Sequence, residues 1–202
     1  MQILSDDELH QIITNTVQQV LGSAKPSQTP EESPKPEQVL LPVAPLADQK
    51  TVAIGADHGG VDLKGILKTE LTGLGYAIID CGTNTTESVD YPDIALAVSK
   101  LVADGSAWRG VVIDGAGIGS CMCANKVPGI RAAMCYDYAT AVNSREHNDA
   151  NVLTLGAGLI GVNLAKQILK TWLATEFAGG RHANRVEKII SIEKNYAKEG
   201  KS

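Results

Sequence analysis

The chain has 202 residues, a net charge of −5 and a hydrophobic content of 44%, with 20 glycines and only 4% aromatic residues. This length accommodates one domain with an appendage or two small domains, and the composition is typical of an α/β domain. Seven acidic residues and two lysines within residues 1–48 account for the whole net charge. The remainder is neutral, which gives no electrostatic basis for binding nucleic acid or an anionic membrane.

The N-terminus and the cysteines indicate a cytosolic protein. The chain begins with MQILSDDE, which is acidic where a secretory signal would be basic, and no apolar run approaches the ~20 residues that span a bilayer. The cysteines show no Cys-x-x-Cys pair and no zinc-type spacing with the four histidines. We expect them to be small buried residues in a reducing compartment. They are Cys81, Cys121, Cys123 and Cys135.

Residues 5–22 predict a short amphipathic helix. Ser5 and Glu8 form a capping box at its start, and Gly22 supplies its stop. An apolar stripe at helical spacing consists of Leu9, Ile12, Ile13, Val17, Val20 and Leu21. Such a stripe needs a partner, so the helix either folds back, pairs with another subunit, or addresses the protein elsewhere.

Residues 23–49 predict a disordered, extended linker. Six of the eight prolines lie here, mixed with Ser, Thr, Glu, Lys and Gln, and this composition buries too little apolar surface to fold. We therefore divide the chain into a targeting helix (1–22), a Pro-rich linker (23–49) and a folded domain (50–202).

After Lys50 the pattern alternates between β-branched runs and amphipathic segments. The predicted strands are 51–57, 76–82, 110–115, 130–136 and 151–158. The predicted helices are 61–74, 90–103, a short one ending near 126, 138–146, 159–177 and 183–196. Such alternation implies a parallel sheet covered on both faces. The expected fold is α/β, a three-layer αβα domain with a five-stranded parallel Rossmann-like sheet.

The segment Val111–Lys126, VVIDGAGIGSCMCANK, combines a strand, a glycine-rich turn and a helix. Asp114 ends the strand, and glycines follow at 115, 117 and 119. This arrangement directs free backbone N–H groups and the positive end of a helix dipole at one point, which suits an anion. The spacing is not G-x-G-x-x-G and no P-loop Lys-Ser/Thr pair follows, so dinucleotide or ATP binding is not expected.

Three groups of polar residues follow predicted elements, and we expect the fold to bring them together. The loops after the first and third strands should be neighbours at the switch point of the sheet. Each residue alone is more often structural, but their joint placement favours a site. The groups are Asp57 and His58 with Asp114; Arg145, His147 and Asn148; and Arg181, His182 and Arg185.

Five strings, in order and spacing, resemble the ribose-5-phosphate isomerase B family, relatives of galactose-6-phosphate isomerase. They are GADHGG (55–60), DYPD (90–93), GAGIGSCMCANKVPGIRAA (115–133), SREHNDANVL (144–153) and GGRHANRVEKI (179–189). The resemblance implies an aldose–ketose isomerase that needs no metal or other cofactor and acts on a five- or six-carbon sugar phosphate. It also implies a homodimer or a dimer of dimers with sites shared between subunits.

The resemblance further implies roles for individual residues. His147 would assist ring opening, while Asn148 and Asp57 would hold sugar hydroxyls. His58, Arg181 and Arg185 would bind the phosphate, with the arginines supplied by the partner chain or its swapped C-terminal helix. Backbone N–H groups of the glycine turn would stabilise the enediolate. The predicted substrate-binding residues are Asp57, His58, Tyr91, Gly115, Gly117, Gly119, Asn125, Asn148, Arg181 and Arg185.

The sequence departs from the family at the catalytic turn. One branch has a cysteine base at position 114 and a threonine at 116, and another has a glutamate at 120; here these positions hold Asp114, Ala116 and Ser120. We therefore predict Asp114 as the catalytic base, with Cys121 as the alternative. Gly158 stands where many relatives place an arginine, which leaves the phosphate contacts or the substrate length open.

Residues 5–22 resemble the N-terminal encapsulation peptides that direct enzymes into bacterial microcompartments. The resemblance implies contact with shell proteins and a location inside a microcompartment in the cytoplasm. The main functional hypothesis is interconversion of ribose 5-phosphate and ribulose 5-phosphate. The alternatives are an isomerase of a six-carbon or deoxy sugar phosphate, and a non-catalytic sugar-phosphate-binding or scaffold subunit.

Overall fold

The structure, a computed structural model, describes Gln11 and residues 50–197. The predicted helix over residues 5–22, apart from Gln11, and the predicted linker over residues 23–49 lie outside the described residues.

Five parallel strands form a single sheet in the order β2-β1-β3-β5-β4. The strands are β1 (Thr51–Ala56), β2 (Ala77–Asp80), β3 (Arg109–Asp114), β4 (Ala132–Met134) and β5 (Val152–Gly156). The central strands β3 and β5 are buried along their whole length, as expected of strands covered on both faces. The predicted five-stranded parallel sheet is confirmed, although β4 has three residues instead of seven.

Helices cover both faces of this sheet, so the predicted three-layer αβα architecture is confirmed. They are α1 (Val61–Gly73), α2 (Tyr91–Ala103), α3 (Ile118–Ala124), α4 (Tyr138–Glu146), α5 (Val162–Ala174) and α6 (Arg181–Ala197), with a 3₁₀ turn at His58–Gly60. Apolar side chains of α1 and α5, such as Leu67 and Ile168, pack on one face. Those of α2 and α3, such as Val98 and Ala124, pack on the other.

The largest differences from the predicted helices lie around α5 and α6. The α5 helix begins at Val162 rather than 159, because Gly161 before it is extended, and it ends at Ala174 because Thr175 is extended. Gly179 and Gly180 have φ of 62° and 53°, which ends any helical continuation. The α6 helix then begins directly at Arg181.

Arg109, the first residue of β3, caps the C-terminal end of α5 with hydrogen bonds. Its guanidinium is 3% exposed and donates hydrogen bonds to the carbonyl oxygens of Trp172 (2.9 Å) and Leu173 (2.8 Å), which satisfies carbonyls that the helix leaves unpaired. Burial, and to a lesser extent the charge of Arg145, lower the pKa of Arg109 to about 10. The side chain nevertheless stays protonated at neutral pH.

All four cysteines are free thiols, as the sequence predicts, but only Cys135 is buried and the other three are half-buried. Burial raises the pKa of the Cys135 thiol to about 11, which leaves it unreactive at neutral pH. None of the described helices is both long and apolar enough to cross a membrane.

Candidate active site

Asp57 follows β1 at the carboxyl edge of the sheet. Its backbone N–H donates to the carbonyl oxygen of Ile113 at 3.1 Å, which continues the pairing between β1 and β3. Its carboxylate Oδ1 accepts from the N–H of Gly59 at 2.9 Å and caps the 3₁₀ turn. Asp57 is only 8% exposed. The prediction that the loops after the first and third strands are neighbours is thus confirmed.

His58 is exposed beside Asp57 and is fixed by the loop after β2. Its Nδ1 accepts a hydrogen bond from the backbone N–H of Val89 at 3.3 Å. In the neutral ring this bond leaves the proton on Nε2. His58 therefore presents an N–H donor to the solvent side of the carboxyl edge.

The buried ammonium of Lys64 holds the loop that carries Val89. Lys64 is 2% exposed and donates to Asp80 Oδ1 (2.7 Å), the carbonyl of Thr83 (2.7 Å) and Asn84 Oδ1 (2.9 Å). Burial alone would raise the pKa of Asp80, but hydrogen bonds from Lys64 and Lys68 outweigh it and lower that pKa. The loop is thus tied to α1 close to His58.

Asp114 turns its carboxylate into its own glycine turn. Oδ1 accepts from the backbone N–H groups of Ala116 (2.8 Å) and Gly117, and Oδ2 accepts from the N–H (3.1 Å) and the hydroxyl (2.5 Å) of Ser120. A carboxylate has about four acceptor sites, so these four donors occupy all of them. Asp114 is 4% exposed and Ser120 is fully buried.

The glycines of the turn allow it to pack directly on β5 and on Tyr91. Gly117 has φ of 78°, and a Cβ there would lie 2.9 Å from the carbonyl carbon of Leu155. A Cβ on Gly119 would lie 2.5 Å from the Tyr91 ring, so this tyrosine covers the first turn of α3. Ile118 and Gly119 begin α3, and their N–H groups have no carbonyl partner within the helix.

A second polar cluster surrounds the end of α4 and the start of α6. The rings of His147 and His182 stack with centroids 4.1 Å apart and planes 3° from parallel. His147 Nδ1 lies 2.8 Å from the side-chain amide of Asn143, and Arg181 Nε donates to His182 Nε2 at 3.4 Å. A cavity of about 420 Å³ lies beside this cluster, lined by Met134, Ala139, Thr140, Asn143, Ser144 and Asn148.

Asp149 anchors the segment that carries His147 and Asn148. Its φ of 47° is a left-handed conformation, unusual for a residue other than glycine. Its carboxylate bridges Arg145 (2.8 Å) and Arg131 (2.8 Å), and the Arg131 guanidinium also donates to the carbonyl of Asn148. Arg145 is 4% exposed. It therefore stabilises the fold and does not join a substrate site, contrary to the sequence expectation.

The two polar clusters lie at opposite ends of the parallel strands, one at the carboxyl edge of the sheet and one at the amino edge. Asp57 and Asp114 follow β1 and β3 at the carboxyl edge. The α4 helix begins after β4 and runs back, so that His147 and Asn148 lie just before β5 begins, at the amino edge. The expectation that one chain brings all three groups together is wrong, because the helix between β4 and β5 reverses the chain direction.

Asn125 and Cys121 face the protein in this chain. The Asn125 side chain exchanges two hydrogen bonds of 2.9 Å with the backbone of Ala132 and donates to the carbonyl of Cys121. Cys121 Sγ lies 3.5 Å from the carbonyl oxygen of Ala132. Both side chains fasten α3 to β4. Gly158 is exposed, and its N–H donates to the carbonyl of Gly115 at 2.9 Å.

Several residues of these clusters were missed from the sequence. The Ser120 hydroxyl and the Val89 N–H act through contacts with residues that the sequence pattern does not place beside them. The sequence pattern assigns no role to His182. Only Lys64 could have been noticed from the sequence, because a lysine within the apolar stripe of a predicted helix indicates a buried cation with a partner. Among residues 50–197 and Gln11, no three His, Cys, Asp or Glu side chains are grouped to hold a metal ion.

The fold and the carboxyl-edge site define an α/β enzyme with a polar site at a strand switch point. The Ribose/Galactose Isomerase family profile matches residues 52–189, and the chain belongs to this family. It is therefore a sugar isomerase.

Solved and characterised relatives extend this likeness. The structure of Clostridium thermocellum ribose-5-phosphate isomerase B superposes with a TM-score of 0.71 at 53% identity, covering 72% of this chain and 99% of that one. Ribose-5-phosphate isomerase B of Escherichia coli is 44% identical over 71% of this chain and 97% of its own length. D-erythrulose-4-phosphate isomerase of Pectobacterium atrosepticum is 44% identical over 69% of this chain and 92% of its own length.

Proposed function

We propose that the protein interconverts an aldose phosphate and the corresponding 2-ketose phosphate through an enediolate, with ribose 5-phosphate and ribulose 5-phosphate as the pair. The main support for this proposal is that the Asp57 carboxylate lies beside the glycine turn after β3, at the carboxyl edge of the sheet. A Cβ at Gly59 would lie 3.4 Å from Asp57 Oδ1 and 3.8 Å from the backbone nitrogen of Gly115. A carboxylate and a turn with open N–H groups therefore border the same space.

This arrangement suits proton transfer between adjacent carbons. A base must remove the proton from C2 of the aldose while fixed donors stabilise the negative charge that develops on O1. N–H groups at the start of α3 supply such donors, and Tyr91 closes one side of the space. His58, with Nδ1 occupied by Val89, presents Nε2 to the substrate phosphate.

The site is completed by a second subunit in this proposal. His147, Asn148, Arg181 and Arg185 lie at the amino edge, away from Asp57 of the same chain. In a homodimer, or a dimer of dimers, these side chains reach the carboxyl edge of the partner. There His147 assists ring opening and Asn148 holds a sugar hydroxyl. Arg181 and Arg185, which lie one helical turn apart and are both exposed, neutralise the phosphate.

The length of the sugar is the finer question. One relative is a D-erythrulose-4-phosphate isomerase, whose substrate has four carbons, and its identity equals that of the Escherichia coli ribose-5-phosphate isomerase B. The same chemistry serves both sugars. Gly158 lacks the arginine that many family members carry, which favours a difference in phosphate position. Six-carbon and deoxy sugar phosphates remain competitors, as does a non-catalytic sugar-phosphate-binding role.

An isomerase assay over a panel of sugar phosphates tests the proposal. The panel contains ribose 5-phosphate, erythrose 4-phosphate, a deoxypentose phosphate and galactose 6-phosphate, each with its ketose followed in the reverse direction. We expect the highest kcat/KM for ribose 5-phosphate, with erythrose 4-phosphate as the second candidate. Binding without turnover of any sugar would support the non-catalytic alternative instead.

We further propose that residues 1–22 are a targeting helix, that 23–49 are a linker, and that the isomerase domain spans 50–202. The support is the capped apolar stripe of residues 5–22, the proline content that follows, and the family match that begins only at residue 52. The stripe would bind a microcompartment shell protein through its apolar face.

Deletion of residues 1–22 tests the targeting proposal. We expect the truncated protein to keep the kcat of the full chain, because the deleted residues lie outside the family match. It should lose co-localisation with shell proteins in cells that form microcompartments. Exchanging Leu9 and Ile13 for Asp in the full chain is the matched control for loss of the apolar face. Unchanged co-localisation of both variants would contradict the proposal.

A further inference from the structure

We propose that Asp57, and not Asp114, is the base that moves the proton between C2 and C1, and that Asp114 with Ser120 braces the glycine turn. This inference rests on the proposed isomerase function and names its base. It replaces the sequence-based prediction that Asp114 fills this role. The reasons are the hydrogen bonds of the two carboxylates and their positions relative to the turn.

Asp114 has no acceptor site left for a substrate proton. Both of its oxygens accept two hydrogen bonds each, from Ala116, Gly117 and the N–H and hydroxyl of Ser120. To accept a proton from carbon, it would have to release at least one of these donors, and each is within its own turn. A carboxylate in this situation defines the conformation of the loop, because it satisfies N–H groups that the turn would otherwise bury unpaired.

Asp57 has a free oxygen in the same region. Oδ1 accepts one hydrogen bond, from Gly59, and Oδ2 accepts none from the residues that the structure describes. Its backbone is held by the bond of its N–H to Ile113 and by the bond of the Gly60 N–H to its carbonyl, both 3.1 Å. The carboxylate is therefore positioned on one side and open on the other, as a base must be.

The Asp57 carboxylate, through its Oδ1, and the glycine turn border a single space. The Cβ position of Gly59 lies within van der Waals distance of both Asp57 Oδ1 and the backbone of Gly115. Glycine at 59 leaves this space unfilled. A sugar carbon bound there would have the carboxylate on one side and the turn that stabilises the oxyanion on the other. Cys121 is excluded because its Sγ faces the carbonyl of Ala132 behind α3.

The proton transfers balance without another reactant. Asp57 takes the C2 proton, the C2–H electrons form the C1–C2 double bond, and the carbonyl electrons move to O1. The resulting carboxylic acid returns this proton to C1. The hydroxyl proton of O2 passes to O1, and C2 becomes the carbonyl carbon of the ketose. The ketose-to-aldose direction uses the same steps in reverse.

Asp57→Asn and Asp57→Ala in the full-length protein test the assignment, with exposed Asp62→Asn on α1 as the matched control. We expect kcat of Asp57→Asn to fall ~10²–10⁴-fold, the range for loss of a general base. KM should change little, because the amide still forms a hydrogen bond. Sodium formate should restore part of the activity of Asp57→Ala, since a free carboxylate can replace the missing one. Asp62→Asn should keep wild-type rates.

Asp114→Asn and Ser120→Ala provide the opposite arm of the experiment. Both should lower the melting temperature, because the turn loses hydrogen bonds. Both should still exchange the C2 hydrogen with deuterated solvent, and formate should not increase their rates. Wild-type-like exchange by Asp57→Asn, or formate rescue of Asp114→Ala but not Asp57→Ala, would overturn the assignment. An inactive wild-type protein on every sugar would instead refute the proposed function, and the assignment with it.

Discussion

His182 is placed where its charge state matters to its neighbours. It is 8% exposed, its ring stacks on His147, and Arg181 donates to its Nε2. Burial lowers its pKa below the usual range, and the positive charges of His147, Arg181 and Arg185 lower it further, against a small opposite effect of Glu146. The stack therefore favours a neutral His182, which leaves His147 with a flat, uncharged neighbour.

The first prediction concerns the pH dependence of stability. In the unfolded chain His182 regains an ordinary pKa of about 6.5, so below that pH the unfolded state binds more protons than the folded state. The free energy of unfolding should therefore fall as the pH decreases below about 6.5. The stability that the folded protein gains from a neutral His182 is fully present only above that pH. His182→Phe keeps an aromatic ring on His147 but cannot titrate.

Melting temperatures from pH 7.5 down to about 5.5 check this prediction. Relative to the wild type, His182→Phe should gain stability as the pH falls. A difference between the two proteins that stays constant across the series would contradict the role given to the charge of His182. The matched comparison is made at each pH, so effects common to both proteins cancel.

Among the elements, the loop between β2 and α2 depends on one buried cation. Lys64 projects from α1 and holds Asp80, Thr83 and Asn84 together. The same loop supplies the Val89 N–H that fixes His58. A helix side chain thus positions a loop that carries no regular structure of its own, and through it a residue of the proposed phosphate site.

The second prediction is that Lys64→Met destabilises the protein by about 3 kcal/mol, the lower end of the range for removing one partner of a buried ion pair. The lower end applies because Lys68 still pairs with Asp80 at 2.6 Å. Urea unfolding followed by circular dichroism measures the change.

Lys68→Met is the matched control for the buried position. The Lys68 side chain is 37% exposed, so its loss should cost at most about 1 kcal/mol. Equal losses for Lys64→Met and Lys68→Met would show that burial of the Lys64 ammonium is not what stabilises the loop.

On the scale of the whole molecule, the separation of the two polar clusters limits how they can contribute to one site. Helix α4 has nine residues and rises by roughly 13 Å, so it carries His147 from the carboxyl edge of β4 to the amino edge of the sheet. One chain cannot fold these ends onto each other, because the rigid sheet lies between them. A site that uses both clusters needs two chains.

Complementation between inactive variants tests this requirement. If the protein forms the proposed homodimer with shared sites, Asp57→Asn and Arg181→Ala should each inactivate every site in their own dimers. When the two proteins are unfolded together and refolded, random pairing yields mixed dimers with one complete site each, so about a quarter of wild-type activity should return. Separate refolding is the control, and no gain over it would show that Asp57 and Arg181 serve the same chain's site.

Much of the fold was determined by the sequence alone. β-branched runs alternating with amphipathic segments specified five strands and the helices between them, because periodicity follows from which faces are buried. The position of Asp57 beside β3 was also predictable, since strands at a switch point follow a topological rule. The motif strings from residue 55 to 189 specified the family, which the profile match over residues 52–189 confirms.

Only the tertiary structure decided how the polar residues are used. The sequence places Asp114 at the right strand end, but whether its oxygens face a substrate or its own turn depends on backbone dihedrals around Gly117 and on the buried Ser120. Likewise, the stack of His147 on His182 joins residues far apart in the chain. Local pattern specifies which elements form and in which order. Side-chain hydrogen bonds and contacts across elements are set by packing, so they appear only once the chain is folded.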